Sequence, residues 1–196
     1  GKFLAELHRG TIDDGVLRSD FDNEAMQQLR LTYCFNFIED PALLAIAKDL
    51  GSLFTEQKRV LLHGDFWTAS VMAGTSEVRV FDLEFTYYGH PAQDVGFMMA
   101  HYMLHAFNTP SLADIIMVAV GGLWRTYRHG MGELLPDDTE TSALKQAGIE
   151  MLFRIDGINQ VKYIKDENVK LRIRGAAKQL MIDEELSIAS LEDLIT

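Results

Sequence analysis

Cationic side chains are scarce in this chain. Its 18 Lys and Arg stand against 29 Asp and Glu, a formal charge of −11. A nucleic-acid surface needs clustered Lys and Arg, so no nucleic-acid partner is expected. A nucleotide held together with Mg²⁺ asks only for a local site and stays open. Cysteine is nearly missing too. The single Cys34 excludes an internal disulfide framework and fits a reducing compartment, so a cytoplasmic location is expected. No uninterrupted apolar run approaches the roughly 20 residues of a membrane span, and no membrane partner is expected. Neither an internal repeat nor a low-complexity tract occurs.

What is present is a globular composition. With 196 residues and 47% hydrophobic content, the chain can bury a sizeable core as one domain or one large lobe. It opens on GKFLAELHRG, without Met and already in helical period, with Phe3, Leu4 and Leu7 on one side. This start reads as a piece of a longer protein. The loop RGTIDDG follows, then a mixed helical pattern from Asn23 to about Ile38. A clear helix runs from Pro41 to Phe54, with Asp40–Pro41 as its start signal.

After that helix the period changes. RVLLHGD is a short apolar run ending in a turn, and SVMAGTSEVRVFDLE reads as two short strands joined by a Gly-containing loop, a hairpin. YYGHPAQDVG reads as a loop. Helical spacing then covers Ala92–Phe107, Leu112–His129, Ser142–Ile164 and Val169–Met181, with Gly121–Gly122 weakening the second of these and an amphipathic piece closing the chain. The expected fold class is α+β, predominantly α-helical, with one small β-hairpin that carries the acids.

The acids sit where short apolar runs end: Asp65 in LLHGDFWTAS, Asp82 and Glu84 in VFDLEF. On an extended chain Asp82 and Glu84 would point to one face, roughly 6–7 Å apart. Two such carboxylates suit a hard cation, Mg²⁺ or Mn²⁺; the bland alternative is a solvated Glu84 and an Asp82 that caps a turn. Asp65 adds an order. H-x-D, a polar side chain five residues on, then a strand ending in Asp is the layout H-R-D-x-x-x-x-N … D-F-G of phosphoryl transfer. His63, Asp65 and Ser70 fill the first set of places and Asp82 the second. In that chemistry Asp65 reaches the acceptor hydroxyl, while Asp82 and the side chain at position 70 serve the metal.

LLHGDFWTASVM … VFDLEFTYYGHPAQDVG resembles the aminoglycoside phosphotransferase/choline kinase superfamily, whose fold is related to that of protein kinases. With Ser70 for Asn, D-x-E-F-x-x-Y-G and the later D-x-G, it is most similar to the 5-methylthioribose kinases. The resemblance is strong from His63 to Gly96 and weak along the helices to the C-terminus. It implies ATP as co-substrate and Mg²⁺ as cofactor. It matches Asp65 to the catalytic aspartate, Asp82 to the metal aspartate and Glu84 to the acid beside it. Asp94 matches an aspartate that braces the catalytic loop, which His63 ties by hydrogen bonds. Methylthioribose kinases carry an Arg pair facing substrate in a late helix; EMLFRIDG offers Arg154 alone. Trp67 could stack on a substrate ring or fill the core. His101 and His105, four apart, lack the Glu of a zinc-protease helix and read as structural.

A kinase of this superfamily also needs a nucleotide lobe, and no G-x-G-x-x-G or G-x-x-x-x-G-K occurs here. Residues 1–196 are therefore expected to form the C-terminal lobe alone, with GKFLAELH as the first helix after the interlobe linker. The expected activity is ATP-dependent phosphorylation of a small-molecule hydroxyl (on an aminoglycoside, an amino alcohol or a thiosugar), with little turnover by the lobe by itself. The missing lobe is the expected partner, and the apolar surface it would cover makes self-association plausible. The rival readings are a non-catalytic kinase-like domain that binds a ligand or partner, and a metal-dependent hydrolase built on His63, Asp65 and Asp82.

Overall fold

The computed structural model describes residues 1–75 and 77–195. Four helices precede the strands: α1 (Lys2–Thr11), α2 (Gly15–Asp20), α3 (Glu24–Phe35) and α4 (Pro41–Glu56). Four short strands follow, β1 (Val60–Leu62), β2 (Val71–Ala73), β3 (Val78–Val80) and β4 (Tyr87–Gly89). The chain then runs through α5 (Ala92–Asn108), α6 (Ala113–Met131), α7 (Thr139–Asp156) and α8 (Glu167–Ile182), and closes on a 3-10 helix, Ile188–Leu194. This is the predominantly helical α+β architecture.

Helix starts follow local chemistry. Asp40 accepts hydrogen bonds from the N–H groups of Ala42 at 2.9 Å and Leu43 at 3.4 Å, with Pro41 at the first helical position of α4. Asp14, Asn23 and Asp166 cap α2, α3 and α8 in the same way. Each such cap satisfies an otherwise orphaned N–H, and replacing one by Ala costs about 1 kcal/mol.

The core is built around α5. Nearly every one of its residues is buried, and it packs against α6, α7 and α8, while α1 packs on α6 and α7 on α8. The helix therefore carries apolar side chains all round, as a fully surrounded helix must. No single described helix is long and apolar enough to cross a membrane; α5 and the segment through α6 meet that test together only as a pair bent by 119°.

The strands make two small antiparallel pairs. β2 and β3 form the hairpin read from the sequence, with Val71 opposite Val80 and Ala73 opposite Val78. β1 pairs with β4, with Val60 opposite Gly89 and Leu62 opposite Tyr87. The second pair corrects the reading of YYGHPAQDVG as loop throughout. Its first residues bury Tyr87 and Tyr88, and the Tyr88 hydroxyl donates to the carbonyls of Thr11 or Arg59. A three-residue strand paired across nearly thirty residues leaves no periodic signal.

Three further differences have local causes. α2 forms just after the RGTIDDG loop, over a stretch to which the sequence assigned no element, because Asp14 accepts from Val16 and Leu17 N–H and starts a short helix. α6 runs unbroken through Gly121 and Gly122, so tertiary packing of Met117, Val120 and Trp124 overrides the weak glycine propensity. α7 stops at Asp156, short of the expected Ile164. There the Gly157 N–H still bonds the Phe153 carbonyl, but the Val161 N–H turns back to the Arg154 carbonyl and the chain leaves the helix.

Candidate active site

The turn after β1 carries Asp65, and its shape is fixed by Asp94 at the start of α5. Asp94 is buried; its Oδ2 accepts from the His63 N–H at 2.7 Å and its Oδ1 from the Gly64 N–H at 3.0 Å. Gly64 takes φ +83°, and a Cβ there would lie 2.0 Å from the Phe85 carbonyl oxygen. Only glycine fits both the left-handed backbone and that approach. Behind Asp94 stands His8 of α1, its Nε2 3.3 Å from Oδ2 and its Nδ1 2.8 Å from the Tyr127 hydroxyl. Burial first, and the Asp94 charge second, push the Tyr127 hydroxyl far above its ordinary pKa, so it stays neutral.

His63 joins the two acid-bearing loops. Its Nδ1 accepts from the Asp65 N–H at 3.3 Å and its Nε2 lies 2.9 Å from the Phe81 carbonyl, a pattern that selects the Nε2–H tautomer. Phe81 precedes Asp82, and its own N–H bonds the Ser70 carbonyl at 3.1 Å. The two loops are thus hydrogen-bonded to one another immediately beside the acids.

Asp82 adopts φ +73°, one of two non-glycine residues with positive φ among those described. Asp tolerates this region better than most residues, yet it remains strained. From Asp82 the chain enters a 3-10 helix, Leu83–Phe85. This corrects the extended geometry expected for Asp82 and Glu84: the backbone turns at Asp82 and does not continue as a strand. Both residues are exposed.

Ser70 lies elsewhere in the site. It is fully buried, and its Oγ accepts from the Trp67 N–H at 3.0 Å and donates to the Trp67 carbonyl at 2.8 Å. Its hydroxyl hydrogen is thereby spent on closing the Trp67–Ser70 turn.

Half-buried Asp65 lines a cavity of about 490 Å³, together with Trp67, Arg154, Glu150, Tyr33 and Phe153. Asp82, Glu84 and Ser70 are not in its wall. Arg154 donates from Nε to Glu150 Oε1 at 2.5 Å and from Nη1 to the Asn159 carbonyl at 3.4 Å, and its guanidinium lies 5.4 Å from the Trp67 ring. Burial alone would raise the Glu150 carboxyl; contact with His101 and Arg154 outweighs it and holds the group below its ordinary value. His101 and His105 face different neighbours. His101 packs on Trp67 at 4.7 Å, and His105 stacks on Tyr163 at 4.7 Å. Among the described residues no three His, Cys, Asp or Glu side chains form a metal-holding group.

The sequence reading passed over Glu150, whose spacing of four from Arg154 on a helix was its available signal. It also passed over His8 and Tyr127, which lie 119 residues apart and carried none.

The chain thus presents an H-G-D turn and a D-x-E turn on hydrogen-bonded neighbouring loops, and a comparison with family models finds the phosphotransferase enzyme (APH) family. Residues 1–129 match that family's model, and the chain belongs to it. The chain is 30% identical over 124 residues to the methylthioribose kinase of Yersinia enterocolitica, covering 59% of this chain and 31% of that protein. It is 27% identical over 163 residues to that of a Geobacillus species, covering 72% and 41%. Methylthioribose kinase 1 of Oryza sativa matches at 36% over 76 residues, 39% and 18% of the two chains. The matched stretches thus cover less than half the length of these curated relatives.

Proposed function

We propose that this chain is the acceptor-binding, C-terminal lobe of a small-molecule kinase that moves a phosphoryl group from ATP to an alcohol. The observation that carries the reading is Asp65 in the wall of the 490 Å³ cavity, on a turn locked by Asp94 and His63. An acceptor hydroxyl in that cavity would lie against the Asp65 carboxylate. Asp65 orients it and takes its proton as the oxygen bonds to the γ-phosphorus and the phosphorus–oxygen bond to ADP breaks.

Asp82 and Glu84 are the residues assigned to the metal. Two exposed carboxylates are a hard oxygen donor set, and they leave room for the waters and phosphate oxygens that Mg²⁺ retains. When bound, Mg²⁺ would supply charge neutralisation of the phosphates. Ser70 is left out of this set because its hydroxyl closes the Trp67 turn.

The nucleotide lobe is assigned to a part of the parent protein outside these residues. Met72, Val78, Phe81 and Leu83 are large apolar side chains exposed on the hairpin and the Asp82 loop, a surface suited to being covered by that lobe. The favoured acceptor is a thiosugar of the methylthioribose type. The cavity wall is largely apolar, with several aromatic rings, and Glu150 already neutralises its one guanidinium. A polycationic aminoglycoside fits such a wall less well.

The test is an ATP-consumption assay on the longer polypeptide with methylthioribose, choline and kanamycin as acceptors. Transfer to methylthioribose that disappears in Asp65→Asn is expected. Full activity in that variant would end the assignment of Asp65.

A further inference from the structure

Four side chains from three separate segments close into a ring of contacts at one side of the cavity. Trp67, on the turn after Asp65, packs against the His101 ring of α5 at 4.7 Å and lies 5.4 Å from the Arg154 guanidinium of α7. His101 and Arg154 meet the same atom: Glu150 Oε1 is 3.5 Å from His101 Nε2 and 2.5 Å from Arg154 Nε. Glu150 and His101 are buried. Trp67, Glu150 and Arg154 line the cavity, with Glu150 and Arg154 one turn apart on α7.

A buried Glu–Arg pair is poor evidence for stability, because desolvation of two charges cancels much of their attraction. A well-packed apolar pair would hold α7 as firmly. What the ion pair adds is placement. Arg has many rotamers, and the Trp67 indole sits on a turn, not in a helix. With Arg154 bonded to Glu150, the guanidinium stays beside the indole. His101 Nε2 approaches the same oxygen at 3.5 Å without a hydrogen bond, and its ring is held against the indole by its burial on α5. Removing Glu150 would release Arg154, one of the two groups that border Trp67.

We infer that Glu150 is the positioning residue of the acceptor pocket: through Arg154 it fixes Trp67, against the buried His101 ring, as a rigid wall beside Asp65. The inference rests on the reading of this cavity as the acceptor site. It goes beyond that reading in assigning pocket specificity to a residue that need not touch the acceptor. Holding a recognition side chain in its bound rotamer before binding saves the ordering cost at the moment of binding. Two side chains, Trp67 and Arg154, are preorganised here.

The test uses the present chain in the Trp124→Phe background, so that Trp67 is its sole tryptophan. Near-ultraviolet circular dichroism and fluorescence anisotropy report whether Trp67 is fixed, and methylthioribose titration reports affinity. Glu150→Gln is expected to collapse the Trp67 dichroic signal and weaken methylthioribose roughly ten- to a hundred-fold, with helical content unchanged. Because Glu150→Gln leaves Arg154 without its counter-charge, Glu150→Gln/Arg154→Met serves as the second variant. It removes both charges and is expected to keep the fold while losing the same Trp67 signal and affinity. An ordered Trp67 in a folded variant of either kind would overturn the inference. So would loss of the signal with unchanged affinity, or no methylthioribose binding by the parental chain at millimolar concentration. None of these readouts needs nucleotide, so absent phosphoryl transfer in the longer polypeptide would count against the kinase reading and leave the ring to be judged by itself.

Discussion

Asp94 accepts the His63 backbone N–H at 2.7 Å, and this one bond carries the position of the turn that presents Asp65. The same carboxylate holds the Gly64 N–H and meets His8 of α1. Three elements remote in sequence therefore converge on a single buried side chain. Asp94→Asn keeps the shape but offers an amide N–H to groups that are all donors. The loss is expected to be about 2–4 kcal/mol, the range for a buried charge-assisted network left with an unpaired donor. Urea denaturation of the chain measures it directly, and a loss below about 0.5 kcal/mol would show that the brace is dispensable.

Two glycines predict opposite signs. At Gly64 a Cβ would strike the Phe85 carbonyl at 2.0 Å on a backbone with φ +83°, so Gly64→Ala should cost more than about 2 kcal/mol. At Gly122, inside α6, a Cβ would meet nothing within 4 Å. Gly122→Ala should therefore stabilise the chain by about 0.5–1 kcal/mol through helix propensity. Melting temperatures of the two variants check both signs in one experiment.

The parts of this fold that were legible in the sequence are those written in local chemistry. Asp40–Pro41 marked the start of α4, and the Gly-containing loop between Val71 and Val80 marked the hairpin. The strand Tyr87–Gly89 was not legible, since its partner is the distant Val60–Leu62 and it ends on Gly89 with Pro91 two residues on. The end of α7 was obscured because Ile158, Val161 and Ile164 continue the helical spacing past Asp156. In the site, H-G-D and D-x-E fixed the positions of the acids but not their backbone. Nothing local announced that Asp82 would take a left-handed conformation. Trp67 and Arg154 were visible as single residues. That both are tied through Glu150 depends on the packing of α5 against α7.

Strain at Asp82 gives a test that separates function from stability. Asp82→Gly relieves a positive φ of +73° at an exposed position, so stability should stay level or rise by up to about 1 kcal/mol. In the longer polypeptide the same variant should lose phosphoryl transfer. Asp65→Asn should lower kcat by about 10²–10⁴, the contribution of a positioned general base, with the fold intact. A residue whose replacement helps the fold and ends the activity is held in place for the chemistry. Turnover by Asp82→Gly at the parental rate would remove Asp82 from the metal site.

The pH dependence of stability should show two separate steps on the acid side. His90 is buried, stacked on Phe54 and bonded through Nδ1 to the Ala92 N–H. Burial lowers its pKa below the usual 6.5, and Asp138, 3.4 Å from Nε2, offsets only part of that; Arg59 and His8 push it lower still. The unfolded chain therefore binds a proton that the folded chain resists. The stability tied to His90 is whole above about pH 6.5 and is lost as pH falls from there through the folded value. His105, lowered by burial and then by the charge of His101, adds in the same direction. The carboxyls held below their ordinary values, among them Asp13 through Arg59 and Asp40 through its capped N–H groups, give up their share only at about pH 4 and under. His90→Asn keeps an acceptor for the Ala92 N–H and removes the titrating ring. Melting curves between pH 7.5 and 5 should therefore be flatter for this variant than for the parent, while the steep loss near about pH 4 persists in both. Identical slopes across the upper window would mean that His90 carries no part of the first step.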